Sequence, residues 1–266
     1  MLNVEATIAH IVDWLRSYCT GHGQHGLVVG VSGGIDSAVV STLCAHTGLP
    51  VLCVEMHIHQ AESQVHRAKE HIAWLRERHA QVEEACTDLT AAFDTLLRSY
   101  PPQEDSPARL LALANTRARL RMTTLYYFAG IRRALVAGTG NKVEDFGVGF
   151  FTKYGDGGVD LSPIADLTKS EVYELAAALG VVDSIRQAKP TDGLFGDDRS
   201  DEDQLGASYP ELEWAMALRE GGRAVETAVL SARQREVLAI YDRLHRANAH
   251  KWKAIPVCAV PEGLRK

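Results

Sequence analysis

The chain alternates short apolar runs with longer stretches of helical periodicity. Over residues 3–19, Ile8, Ile11, Val12 and Leu15 recur at helical spacing and predict an opening helix. After a turn at Gly21–Gly26, the run Leu27–Val31 predicts a buried strand, and Ala38–His46 resumes as a helix. Gly48 and Pro50 end that helix, and Val51–Val54 predicts a second buried strand. A helix over 62–78 turns Val65, Ala68, Ile72 and Leu75 inward. Val82–Cys86 is a weaker strand, 89–97 a helix and 100–107 (YPPQEDSP) a turn-rich linker. Ser106 and Pro107 provide the N-cap and first residue of a long helix. Ala134–Ala137 is another short buried strand. Thr168 and Glu171 make a capping box for a helix that Gly180 stops. Further helices are predicted over 211–218, 224–230 and 231–248, the last with Val237, Leu238, Tyr241 and Leu244 inward. Strands alternating with helices predict an α/β fold, an open parallel sheet with helices on both faces.

Composition narrows the class. With 266 residues, 46% hydrophobic and 23% charged, the chain suits one compact domain over 1–266. A net charge of −6 argues against nonspecific nucleic-acid binding. No apolar run reaches the length of roughly 18 residues that a membrane span needs. Met1–Trp14 carries Glu5 and Asp13 with no basic start, so no signal peptide is expected. The five cysteines are scattered without a C-x-x-C pair, which predicts buried, reduced thiols in a cytoplasmic protein. Eleven histidines show no metal-binding spacing.

The candidate chemistry starts at Gly30-Val31-Ser32-Gly33-Gly34-Ile35-Asp36-Ser37. A strand, a glycine turn and a helix start make an anion site: free N–H groups point outward and the helix dipole favours negative charge. Glycine lets the backbone close on a phosphate, the serines add donors, and Asp36 can hold a cation that phosphates share. No lysine follows the glycines, so this is not a Walker A loop, nor is it G-x-G-x-x-G. An ordinary strand-to-helix turn is the plain alternative. A second polar loop, Gly138–Asp145, ends the strand at 134–137 and holds Thr139 and Glu144. Phe150–Asp160 packs three aromatics, a lysine, three glycines and two aspartates into eleven residues, which does not read as core. Lys169 sits at a helix start, where the dipole disfavours a cation, so an anion is expected beside it. On the long helix, Arg117 and Arg121 lie in an apolar arc, which requires a pairing partner, a second chain or a ligand. Residues 196–203 (GDDRSDED) read as a solvated acidic turn.

The stretch S-G-G-x-D-S at Ser32–Ser37 resembles the pyrophosphate loop of the N-type ATP pyrophosphatases. Three later stretches select within that superfamily: N-x-R-A-R-x-R-M at Asn115–Met122, F-F-T-K-Y-G-D-G-G-x-D at Phe150–Asp160, and D-E-D-x-L-G-x-S-Y at Asp201–Tyr209. Together they resemble the NAD synthetases from about residue 5 to residue 255. The resemblance implies an adenine nucleotide alpha hydrolase-like, Rossmann-like fold. It implies ATP-dependent amidation of deamido-NAD by ammonia through an NAD-adenylate, giving NAD, AMP and pyrophosphate.

By that resemblance, Gly30, Val31, Ser32, Gly33, Gly34, Ile35, Asp36, Ser37, Thr139, Lys169 and Thr191 bind ATP. Arg119, Lys153, Asp160, His250 and Lys251 meet deamido-NAD. Asp36 and Glu144 hold Mg²⁺, and Asp36, Lys169 and Asp156 carry the catalytic expectation, Asp156 as acceptor of the ammonium proton. The chain has one more residue between Thr139 and Lys153 than bacterial members, falling in 145–148. Glu144 keeps its offset from Thr139, with Asp145 the alternative ligand. The segment Glu55–His59, following the second strand, is placed to contact the adenosine through His57 or His59. A homodimer on the long helix is implied, and the length leaves no room for a glutaminase domain. A GMP-synthesising or tRNA-modifying pyrophosphatase and a non-catalytic nucleotide sensor are the competing readings. The F-F-T-K-Y-G-D-G-G stretch and the intact Asp36, Glu144 and Lys169 speak against them.

Overall fold

A computed structural model describes residues 2–190, 200–221 and 230–265. A four-stranded sheet forms the centre, in the order β3-β2-β1-β4, with every pairing parallel. Its strands are β1 (Leu27–Gly30), β2 (Val51–His57), β3 (Val82–Asp88) and β4 (Leu135–Ala137). The helices are α1 (Val4–Gly21), α2 (Ile35–His46), α3 (Glu62–Arg78), α4 (Thr90–Ser99), α5 (Pro107–Arg132), α6 (Lys169–Ala178), α7 (Asp183–Arg186), α8 (Asp201–Leu205), α9 (Tyr209–Glu220) and α10 (Ala232–Asn248). The helix expected over 224–230 lies almost wholly outside the described residues.

The apolar patterns explain the layers. Leu27–Val29 of β1 and Val51–Glu55 of β2 are buried, as strands covered on both faces must be. One core packs Val29 and Cys53 against Leu15 of α1, Val39 and Leu43 of α2, Ile72 of α3 and Leu175 of α6. On the opposite face Val28, Leu52, Val54 and Val136 meet Ala129, Leu125 and Phe128 of α5. A further cluster joins Val143 and Val148 to α8, α9 and α10 through Leu205, Leu212, Met216, Val237 and Tyr241.

The chain runs β1, β2, β3 in one direction across the sheet, then returns to place β4 on the other side of β1. The order therefore reverses between β1 and β4. In parallel α/β sheets the crevice beyond the carboxyl ends at such a switch point is where ligands bind. The loop Val31–Gly34 leaves β1 there and Gly138–Asn141 leaves β4 there.

Three segments differ from the sequence reading. β2 continues to His57, so Glu55, Met56 and His57 are strand, because β3 extends to Asp88 and pairs with them. Residues 201–205 form α8, with Ser200 capping it and Asp201 6% exposed, so the acidic stretch is not a solvated turn there. The thiols are all free, but Cys86 and Cys258 are exposed, not buried.

The extra residue that the resemblance implies in 145–148 would fall in an irregular turn. Val143–Val148 winds as a π-helix, and Gly149 ends it at φ 66°. A π-turn spans one residue more than an α-turn, so it absorbs an insertion without displacing the downstream chain, and such turns recur at functional sites. Gly149 is locked on two counts. Its φ lies in the left-handed region, and a Cβ there would sit 2.3 Å from Asn248 Cβ and 2.8 Å from the Trp252 ring. Gly149→Ala is expected to lower the unfolding free energy, read as a lower urea midpoint, by more than the ~1–2 kcal/mol of left-handed strain alone, since α10 must also move. An unchanged midpoint in equilibrium unfolding would show that this turn does not anchor α10.

Candidate active site

The β1–α2 turn is pre-shaped by its own side chains. Ser37 Oγ donates to Gly34 O at 2.9 Å and accepts from Ser32 N at 3.2 Å, and Ser32 Oγ accepts from Gly34 N at 3.2 Å. Gly33 has φ 82°, and a Cβ there would lie 2.5 Å from Gln64 O, so only glycine fits. Arg67 of α3 donates to Gly33 O at 3.2 Å and braces the turn. The side chains of Val31 and Ile35 are buried, so these two residues offer backbone to a ligand. The first-turn N–H groups of α2 have no partner within the helix and point into the crevice.

One ammonium gathers the carboxylates. Lys169, the first residue of α6, donates to Asp36 Oδ2 at 2.5 Å and Glu144 Oε1 at 3.0 Å. Its side chain is 4% exposed. Burial alone would lower its pKa, but the two carboxylates outweigh that and hold it above its ordinary value, so it stays charged. The sequence asked for an anion beside Lys169; the structure supplies two side-chain anions. Asn141, fully buried, donates to Asp36 Oδ1 at 3.2 Å and accepts from Glu144 N at 3.1 Å, tying the two carboxylates' segments together. Tyr209 donates to Glu144 Oε1 at 2.5 Å, and Lys169 Nζ lies 4.8 Å from the centre of its ring.

Two more carboxylates face the same cavity. Burial, then repulsion from Glu144, Asp156 and Asp36, pushes Asp145 up to about 8. Asp156 keeps solvent access, yet enclosure by the cavity walls pushes it up to about 6 against the Thr152 N–H that it accepts at 2.9 Å. Four acids around one ammonium make a site short of positive charge, lined by hard oxygen donors. That donor set fits a magnesium-type cation and a polyphosphate's counter-ion.

The cavity, about 260 Å³, is lined by the Gly30–Ser37 turn, Thr139, Glu144, Asp145, Asp156 and Lys169, with Tyr173 and Asp201 at its far side. It therefore unites every described residue of the expected ATP set. Thr191 lies outside the described residues, although its neighbours Lys189 and Pro190 reach the cavity.

The residues expected to meet the dinucleotide form a separate group. Arg119 Nη2 donates to Lys153 O at 3.3 Å, Lys153 Nζ to His250 O at 2.6 Å, and Lys251 Nζ to Gly149 O and Phe151 O at 2.7 and 2.8 Å. None of these four side chains lines the cavity. Asp160 stands apart from them. Its carboxylate accepts from Val136 N at 2.9 Å and from Tyr126 OH at 3.0 Å, so both oxygens hold the protein's own groups.

Other expectations change. His57 lines the cavity, but His59 has φ 49° and pairs with Asp94 at 2.9 Å, on the exposed side. Arg117 stacks over Phe93, 4.5 Å from the ring centre, and Arg121 donates to Met56 O at 3.1 Å and Gln60 Oε1 at 2.7 Å. Both arginines of the apolar arc thus have partners within this chain. Sequence reasoning missed Asn141, Tyr209 and Arg67. Tyr209 closes the D-E-D-x-L-G-x-S-Y stretch, where its hydroxyl was the available signal; nothing local marks Arg67.

The NAD synthase family profile matches residues 7–255 of this chain. An NH(3)-dependent NAD(+) synthetase of Carboxydothermus hydrogenoformans is 35% identical over 261 residues, covering 96% of this chain and 97% of that protein. One of Syntrophomonas wolfei is 36% identical over 267 residues, covering 99% and 100%. Among solved structures, an NMN synthetase from Francisella tularensis superposes with TM-score 0.82 at 30% identity, covering 98% and 100%. An NH3-dependent NAD synthetase from Campylobacter jejuni superposes with TM-score 0.77 at 25% identity, covering 97% and 100%.

Lys169→Met leaves Asp36 and Glu144 side by side without their cation. Breaking a buried ion pair by removing one partner costs about 3–5 kcal/mol, so a loss of that size is expected in urea unfolding without divalent cations. Adding Asp36→Asn to that variant should recover part of it. A single variant as stable as the parent would mean the ammonium does not hold the carboxylates.

Proposed function

The chain belongs to the NAD synthase family, as an ammonia-dependent ligase that forms NAD, and we propose that it does so by amidating deamido-NAD with ATP split to AMP and pyrophosphate. The observation that carries this reading is the Lys169–Asp36–Glu144 cluster facing the glycine turn at the switch point. That juxtaposition suits a nucleotide cut between its α and β phosphates. A bare carboxylate resists attack by ammonia, because resonance with its anionic oxygens leaves the carbonyl a poor electrophile with no leaving group. The nicotinate carboxylate first displaces pyrophosphate from the α-phosphorus and becomes an NAD-adenylate. Ammonia then attacks the activated carbonyl, AMP leaves, and the second difficult step becomes an easy one.

The protein's work is positioning and charge. Ser32, Gly33, Gly34 and Ser37 cradle the leaving pyrophosphate, with the α2 first-turn N–H groups as donors. Gly30, Val31 and Ile35 shape the backbone, and Thr139 and Thr191 are further ATP contacts. Lys169, already cationic, takes on phosphate as its pairing with the carboxylates loosens. Asp36 and Glu144 would hold Mg²⁺, which neutralises polyphosphate charge when bound. Glu144 is favoured over Asp145 because it shares Lys169 with Asp36. Asp156, raised toward neutrality and open to solvent, receives a proton from ammonium. Arg119, Lys153, Asp160, His250 and Lys251 meet the dinucleotide beyond the cavity.

The long helix supports a homodimer. Leu110, Leu111, Tyr127 and Ile131 of α5 are 49%, 55%, 63% and 65% exposed, apolar side chains that a second copy would cover. Among the described residues no helix is long and apolar enough to cross a membrane. The scattered cysteines favour a cytoplasmic enzyme, and the NH(3)-dependent relatives favour free ammonia as its nitrogen source.

Purified protein with ATP, Mg²⁺, ammonium and deamido-NAD should release NAD, AMP and pyrophosphate in equal amounts. ADP release, or turnover without deamido-NAD, would sink the reading. Running nicotinate mononucleotide in parallel decides the acceptor, since a mononucleotide synthetase is among the structural relatives; deamido-NAD is expected to give the larger kcat/KM. Asp36→Ala should lower kcat by at least about 10²-fold, as loss of one preorganised electrostatic group does elsewhere. Leu111→Glu with Ile131→Glu should turn a dimer into a monomer by light scattering; an unchanged mass would place the dimer contact elsewhere.

A further inference from the structure

β2 and β3 bring together three metal-ligating side chains that the proposed reaction does not use. The parallel register sets Glu55 directly opposite Cys86. Side chains alternate along a strand, so Glu55 and His57 share one side of the sheet, and the pairing puts Cys86 on that side too. It is the side of Cys53, which packs in the core that α3 joins through Ala68 and Ile72. One donor atom from each of Glu55, His57 and Cys86 lies within 4.8 Å of the others.

We propose that Glu55, His57 and Cys86 form a binding site for one thiophilic divalent cation of the zinc type. The distances suit it. His57 Nε2 is 3.3 Å from Glu55 Oε2 and 3.9 Å from Cys86 Sγ. With zinc bond lengths of ~2.0 Å to N and O and ~2.3 Å to S, tetrahedral geometry sets ligand atoms about 3.3 and 3.6 Å apart. A second observation points to a missing partner. Glu55 is 1% exposed, and its Oε1 is buried with no hydrogen-bond partner. A buried carboxylate oxygen left bare is costly, and a cation beside it removes that cost. Lys69 of α3 acts on Glu55 and Cys86 electrostatically but makes no hydrogen bond to Glu55. Glu84 and Asp88 add negative charge around Cys86.

The donor set separates this site from the catalytic one. Nitrogen, sulfur and a single carboxylate select zinc-like ions, whereas Asp36 and Glu144 offer oxygen alone. Three protein ligands leave one position for water or a further donor. The cation would clamp the carboxyl ends of β2 and β3 together, with His57 set in the wall of the nucleotide cavity.

Full-length protein in excess Mg²⁺, titrated with Co²⁺, is expected to bind one equivalent with a thiolate-to-metal charge-transfer band that Zn²⁺ abolishes. Cys86→Ser should lose the band, keep its circular dichroism spectrum and keep NAD formation with Mg²⁺. Cys258→Ser, at the other exposed thiol, should keep the band. Glu55→Gln should weaken binding at least about tenfold, the lower bound for disturbing even the outer partners of a metal ligand. Zn²⁺ should also raise the thermal midpoint of the parent and not of Cys86→Ser. A band that survives Cys86→Ser, disappears in Cys258→Ser, or shows no saturation at one equivalent would overturn the site.

Discussion

The arrangement hangs on a buried ammonium shared by two carboxylates. Lys169 joins α2, through Asp36, to the π-turn after β4, through Glu144. Neither carboxylate is stable at such a site without the cation, and the cation is not stable there without them. The pairing therefore fixes three chain segments that are far apart in sequence. Asn141 repeats the link at the backbone level, and Tyr209 brings α9 to the same Glu144 oxygen. Asp156 adds further negative charge above about pH 6, while Asp145, pushed up to about 8, stays largely protonated at neutral pH.

That network sits where the sheet topology leaves room for it. Strand order reverses between β1 and β4, so the loops after these strands diverge and open a crevice. The glycine turn enters it from one side and the π-turn from the other. The expected dinucleotide contacts lie next to the cavity, not within it, linked by hydrogen bonds through Lys153, His250 and Lys251 to the backbone that leaves the π-turn. Activated carboxylate and pyrophosphate cradle would then be served by neighbouring, mechanically joined parts of one region. The extended carboxyl end of β2 walls the cavity through Glu55, Met56 and His57.

Much of this was legible in the chain itself. Apolar runs bounded by glycine and proline marked β1, β2 and β4, because a strand covered on both faces must be apolar throughout. Ser106 and Thr168 announced helix starts, since a cap is a local hydrogen bond requiring only its own neighbours. The turn at Ser32–Ser37 and the motif at Phe150–Asp160 were equally plain, because backbone that approaches a ligand closely needs glycine at fixed places. Local chemistry also flagged Lys169 as a cation in need of an anion.

What the tertiary structure decided were pairings between distant residues. It gave Lys169 two carboxylates as partners, turned His59 to Asp94, and gave Arg117 and Arg121 partners within the chain. It extended β2 by three residues, since a strand's end depends on the neighbour that pairs with it. It set Cys86 beside Glu55 and His57, a cluster with no spacing in sequence because strand register created it. Sequence determines what each segment can form and which groups it carries. Only the fold determines which charges meet, because burial and distance decide that, and both belong to the assembled chain.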